Sequence, residues 1–138
     1  MKKTIRAIGL VSLLAGALNG GDIETMKARM MRQDMRTMLE SMEQIQRGGF
    51  YSSADDMKAG VKKLQGTLKT LEGDEIKWIL PKNQVYAYQF AQKSAQMLRL
   101  YSDDMIVSID AGRMDEALEN YNQLLKQCTS CHIRIRNW

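Results

Sequence analysis

The stretch MRQDMRTMLESMEQI, Met31 to Ile45, decides the fold. Its apolar residues Met31, Met35, Met38, Met42 and Ile45 recur at spacings of 4, 3, 4 and 3. A strand would alternate every second residue, whereas a helix returns to one face every three or four. The stretch is therefore one narrow, heptad-like face of a helix. Arg29, Arg32, Arg36, Glu40 and Glu43 fall mostly off that face. The helix is expected from about Ile23 to Gln46, with Gly48-Gly49 as its end, because glycine accepts the left-handed cap conformation.

The same pattern repeats downstream. Ser53, followed by Asp56, resembles a capping box that opens a second helix. Its stripe is Met57, Val61, Leu64, Leu68 and Leu71, and Gly73 closes it. Gly60 and Gly66 lie inside it and weaken its propensity, so each marks either the close approach of a neighbour or nothing. In the segment GDEIKWILPKN, Trp78 and Ile79 are expected to fold back onto the core, and Pro81 suits the first turn of a third helix. That helix is expected from about Lys82 to Asp110, with Val85, Tyr88, Ala91, Ala95, Leu98, Tyr101, Met105 and Ile109 inward and Gly112 at its end. A fourth runs from about Asp115 to Arg134. Leu118, Tyr121, Leu125, Cys128 and His132 share one face of it, flanked by Leu124 and Cys131. Short connections imply antiparallel hairpins. The expected fold is all-α, an antiparallel up-and-down four-helix bundle over residues 20–138.

The first 19 residues are read separately. Lys2, Lys3 and Arg6 form a positive start, residues 7–18 an apolar run, and Ala15-Gly16-Ala17 a small-residue cleavage signal. This is the pattern of a secretory signal peptide, too short to span a bilayer. The expected location is the periplasm. The chain holds 20 Lys+Arg against 16 Asp+Glu. Without Lys2, Lys3 and Arg6 the excess of basic residues falls to one, which leaves net charge no case for nucleic acid.

Both cysteines of the chain and its single histidine stand in CTSCH, residues 128–132. A thioredoxin-type dithiol site wants a βαβ context, and no strands are expected. A zinc site wants three or four protein ligands, and the adjacent Cys131 and His132 are awkwardly placed to share one tetrahedral ion. A disulfide or an incidental pair is a further reading, in which the chain is a haem-free exported helical interaction module. Covalent haem attachment uses two thiols as thioethers to the porphyrin and the following histidine as an iron ligand. Spacing suits it: residues three apart project from one helix face, and Thr129 and Ser130 are small. One covalent haem c, tethered by Cys128 and Cys131 with His132 on the iron, is the expected cofactor. No nucleophile–base pair, phosphate loop or second metal site is evident, so no enzyme activity is expected.

A helical bundle with CxxCH on its last helix resembles the class II c-type cytochromes, cytochrome c-prime and its low-spin relatives. The resemblance spans about residues 22–138. Its specific part is CTSCH with a basic residue four beyond the histidine, here Arg136; Ile135 stands where the family often has an aromatic. The resemblance implies a periplasmic electron carrier that meets redox protein partners. Family members often dimerise through their first two helices, and a heptad stripe does not distinguish a core face from a dimer face.

The resemblance also frames the far side of the iron. In low-spin members a first-helix methionine ligates it; in cytochrome c-prime a bulky apolar residue shields an open site that binds NO or CO. With one histidine in the chain, bis-histidine ligation is excluded, which leaves methionine, lysine or an open site. Met26, Met30, Met31, Met35, Met38 and Met42 are available, and as a rule methionine serves as a plastic core filler. An antiparallel first helix favours its early-to-middle turns, so Met35 is the expected distal ligand, Met31 the runner-up and Met38 the third choice. Tyr88, Tyr101, Tyr121 and Trp78 are either porphyrin contacts or ordinary core. Lys126, Arg134 and Arg136 are either propionate or partner contacts, or a solvated helix end.

Overall fold

A computed structural model describes residues 20–80, 83–84 and 86–136. The expected signal segment 1–19, together with Pro81, Lys82 and Val85, lies outside the described residues. Among those described, the protein is all-α, with no strand. The helices are α1 (Gly20–Phe50), α2 (Ala54–Glu72), the one-turn α3 (Ile76–Ile79), α4 (Ala87–Asp110) and α5 (Met114–Arg136).

α1 and α2 form an antiparallel pair. Lys63 Nζ meets Glu40 at 2.9 Å, and Thr70 Oγ1 donates to Asp34 at 2.6 Å. The expected end of α1 at Gly48-Gly49 is overtaken: the helix continues to Phe50. Gly48 serves the turn differently. A Cβ there would lie 2.7 Å from Met57 Cγ and 2.8 Å from Met57 N. The returning chain crosses that spot, and the Ser53 N–H donates to the Gly48 carbonyl at 2.8 Å. The left-handed residue of the turn is Ser52, at φ 55°. Ser53 then caps α2 as its sequence suggests, its hydroxyl accepting from the Asp56 N–H. The two glycines inside α2 differ. A Cβ at Gly60 would press on α1 at Ile45 and Ser41, whereas one at Gly66 would meet nothing within 4 Å.

α2 and α4 are also antiparallel. Lys58 pairs with Asp110 at one end, Gln65 donates to Ser102 and Asp103 midway, and Arg99 grips Glu72 with two hydrogen bonds at the other end. α4 ends where expected. Gly112 takes φ 69°, and the Arg113 N–H reaches back to the Ser108 carbonyl, a left-handed glycine stop. α4 begins at Ala87 rather than near Lys82, because Asn83, Gln84 and Tyr86 form a turn in which the Ala87 N–H bonds to the Gln84 carbonyl. α5 runs back along α4, and Gln84 Nε2 donates to the Ile135 carbonyl near its end.

The apolar stripes of α1 and α2 meet in one core: Met38, Met42, Ile45, Met57, Val61, Leu64, Leu68 and Leu71 are all buried. α4 adds Ala91, Ala95, Leu98, Met105 and Ile109. On α5 the expected face is right at Tyr121 and Cys128 and wrong at Leu118 and Leu125. Leu118 is 58 % exposed and Leu125 is 46 % exposed, while Ala117, Leu124 and Ile135 are buried. The face turned to α4 is Ala117, Tyr121, Leu124, Cys128, Cys131 and Ile135, an equally regular stripe beside the expected one. In the connection after α2, Ile76 is fully buried, but Trp78 is 61 % exposed rather than folded inward.

Packing therefore runs in a row: α1 on α2, α2 on α4, α4 on α5. α3 touches α1, α2 and α4 at one end. α1 and α5, the outer helices of the row, share no extensive contact. No helix among the described residues is long and apolar enough to cross a membrane.

Candidate functional site

At the end where α1 starts and α5 finishes, the space between those two helices is a cleft of about 890 Å³. α1 contributes Ala28, Met31, Arg32, Met35 and Arg36 to its wall, and α5 contributes Cys131, His132 and Ile135. Leu71, Ile76, Ile79, Leu80 and Ala91 form an apolar lining between them, and Asn83 and Gln84 stand at an edge. Its volume falls within the range of small-molecule and cofactor sites, as does its character: an apolar wall with a few polar groups.

The cleft brings together Met31, Met35, Cys131 and His132 from helices at opposite ends of the chain. The other methionines of α1 go elsewhere. Met38 and Met42 are buried in the core, and Met26 and Met30 are more than half exposed and line a separate depression against Lys69 and Thr70. Cys128 does not line the cleft. It packs one turn earlier against the core, beside Tyr121. Tyr88, Tyr101 and Tyr121 are half-buried against the core and lie off the cleft lining. Trp78 has the Lys27 amine 6.0 Å from its ring centre. Lys126 is exposed, and the Arg134 guanidinium lies 4.9 Å from the centre of the Phe90 ring, outside the cleft. The side chain of Arg136 lies outside the described part of the protein.

The two thiols are unbridged and half-buried. Burial pushes the Cys128 thiol up to about 11, and the neighbouring Cys131 adds to the effect. Burial raises Cys131 as well, against an opposing hydrogen bond with Ser94. Both therefore stay protonated at neutral pH. A dithiol redox site needs the opposite shift, since its attacking sulfur must be a thiolate. Nor do three or more Cys, His, Asp or Glu side chains converge to hold a metal among the described residues. The donor set suits a group that brings its own equatorial ligands and asks the protein for one or two axial ones. A haem is such a group, and the apolar wall, thioether, imidazole and thiol of the cleft fit it. Cys128 shares a helix face with Cys131 but stands outside the cleft lining, one turn nearer the core.

Several cleft residues are not marked as site residues by the sequence. Arg32 and Arg36 lie off the α1 stripe, yet the cleft widens far enough to include them. Ile76, Ile79 and Leu80 carry a readable signal, an apolar cluster just after the Gly73 stop, which marks a short buried turn. Asn83 and Gln84 carry none. Comparison of the chain with family models, curated proteins and solved structures gives no match.

Proposed function

We propose that the protein is a monohaem c-type cytochrome of the class II type, an electron carrier of the periplasm rather than an enzyme. In this reading the four long helices form an up-and-down bundle whose α1/α5 edge is spread to receive the haem. The observation that carries it is the cleft that sets His132 and Cys131 on one wall and Met31 and Met35 on the other. Cys128 and Cys131 would hold the cofactor as thioethers, and His132 and Met35 would bind its iron, with Met31 the alternative one turn from Met35. Held by a histidine and a methionine, a haem would supply reversible one-electron exchange at a raised potential.

The chain's own residues do the rest. Leu71, Ile76, Ile79 and Leu80 keep water off the ring. Arg32 and Arg36 set positive charge where the cofactor's carboxylates need a partner, since no Asp or Glu lines the cleft. The regular helices on which the ligands stand hold them in place as the charge changes. A soluble redox protein is the partner, nucleic acid is not, and a homodimer is compatible with this role.

The test is spectroscopic. Chain matured with the haem-attachment machinery should carry one covalent haem, low-spin in both oxidation states and slow to bind CO. Absence of covalent haem sinks the cytochrome reading. A high-spin ferrous form that takes up CO at once sinks the His/Met assignment in favour of an open, gas-binding site. Met35→Ala should convert the haem to high spin. If Met31→Ala does so instead, the distal ligand is one turn earlier.

A further inference from the structure

Beside the cleft lies a second hollow, of about 690 Å³. It shares Asn83, Gln84 and Ile135 with the cleft, so one layer of side chains separates the two. The hydrogen bond from Gln84 to the Ile135 carbonyl fastens that layer. The hollow's charged residues are Lys93 and Arg134, and no carboxylate lines it. Neither is held by a carboxylate among the described residues, although Arg134 rests on the Phe90 ring. The ion pairs among the described residues belong to Lys58, Lys63, Lys77, Arg99 and Arg113. At the other end of the molecule, a depression of about 330 Å³ is lined by Asp104, Glu116 and Glu119 with Arg113. The hollow beside the cleft is thus lined by cations and the far depression mainly by carboxylates.

We infer that this hollow is a docking surface for an acidic electron-transfer protein. The inference rests on the cytochrome reading and names the partner's chemistry. Arg134 lies over the Phe90 ring, Lys93 lines the same hollow, and Tyr86 stands 73 % exposed at the rim. Aromatic residues and arginine are the types enriched in the cores of protein interfaces. The amides of Asn83, Gln84 and Gln89 offer hydrogen bonds to side chains. A concave, amide-lined surface suits a protruding acidic loop, whereas a lipid surface is met by apolar side chains that project between the cations. A partner seated here needs only the shared wall of Asn83, Gln84 and Ile135 between itself and the cleft. That keeps the path short for an electron crossing from one protein to the other. The step is a single outer-sphere transfer: the donor loses one electron, the cytochrome gains it, and no bond forms or breaks.

The experiment uses the haem-loaded chain and an acidic flavodoxin, in its hydroquinone form, as the probe donor. Stopped-flow reduction should slow as ionic strength rises. Lys93→Glu with Arg134→Glu should lower the low-salt rate about tenfold or more, as expected for lost electrostatic steering, and should flatten the salt dependence. Reduction by a small neutral flavin should be unchanged, which separates docking from damage to the haem site. A haem-loaded double variant that reacts with flavodoxin as fast as the parent overturns the docking surface and leaves the cytochrome reading standing. Absence of covalent haem in the parent chain overturns both. If the parent sediments with phosphatidylglycerol vesicles at physiological salt, the variant does not, and flavodoxin rates match, the surface belongs to a membrane and the inference fails.

Discussion

Gly60 and Gly66 offer a controlled pair, since both lie inside α2 and only one touches another helix. Replacing either by alanine gains the same helix propensity, about 0.8–1 kcal/mol. At position 66 the new methyl group meets nothing within 4 Å, so Gly66→Ala should stabilise by roughly that amount. At position 60 it would lie 2.8 Å from Ile45 Cγ1 and 3.0 Å from both Ile45 N and Ser41 O. Carbon atoms prefer about 3.5–4.0 Å. Ile45 can rotate its side chain, but two of the three neighbours are α1 backbone, so the helices must separate. Overpacking of this kind costs about 1–3 kcal/mol. Propensity cancels between the two variants, which leaves the overpacking as their difference. With a urea slope of about 1–2 kcal/mol/M, the unfolding midpoint of Gly60→Ala should fall about 1 M below that of Gly66→Ala. Both must be measured in the same haem state. A Gly60→Ala midpoint equal to or above that of Gly66→Ala refutes the close approach of α1 and α2.

Two further outcomes follow from burial. Ile76→Ala removes a fully buried side chain from the apolar lining of the cleft and should cost about 2–5 kcal/mol in denaturant unfolding; a loss below 0.5 kcal/mol, an about threshold set by exposed sites, would show that α3 does not seal the core. The second concerns the chain before haem is attached. Cys128 has its ordinary value of 9.0 in the unfolded chain and about 11 when folded. The folded state therefore holds a proton that the unfolded state gives up. The resulting stability is present below pH 9.0 and is lost as pH rises towards 11. Under reducing conditions the unloaded chain should lose about 1–3 kcal/mol across that window, and Cys128→Ala should lose less. Equal alkaline losses in the two proteins would refute the assignment.

The helical stripes of α1 and α2 were legible because each has one apolar face and charged residues elsewhere. α5 was harder for a physical reason. Tyr121 and Cys128 belong equally to a stripe with Leu118, Leu125 and His132 and to one with Ala117, Leu124, Cys131 and Ile135. Periodicity shows that an apolar sector exists; contact with α4 selects which edge of it is buried. The start of α4 was misjudged because proline suits a first helical turn, whereas the chain first makes a turn closed by Gln84. At the candidate site, CTSCH stands out from composition alone. The cleft's arginines do not, because a residue off the apolar stripe is indistinguishable in sequence from one facing water. Of the α1 methionines, spacing singled out Met31 and Met35 no more than Met38; only the position of α5 separates the cleft-lining pair from the core filler.

The row of helices has a kinetic consequence. Each extensively packed pair of long helices is consecutive along the chain, joined by one connection. Joining the first long helix to the last would mean closing a loop of about 100 residues, with an entropy cost on the order of 4 kcal/mol. The row omits that step. Its contacts stay local, and proteins built from local contacts cross their folding barrier quickly, in about microseconds to milliseconds. The chain can then reach its packed form hairpin by hairpin, while the edge between its outer helices remains the last and least constrained boundary to be settled.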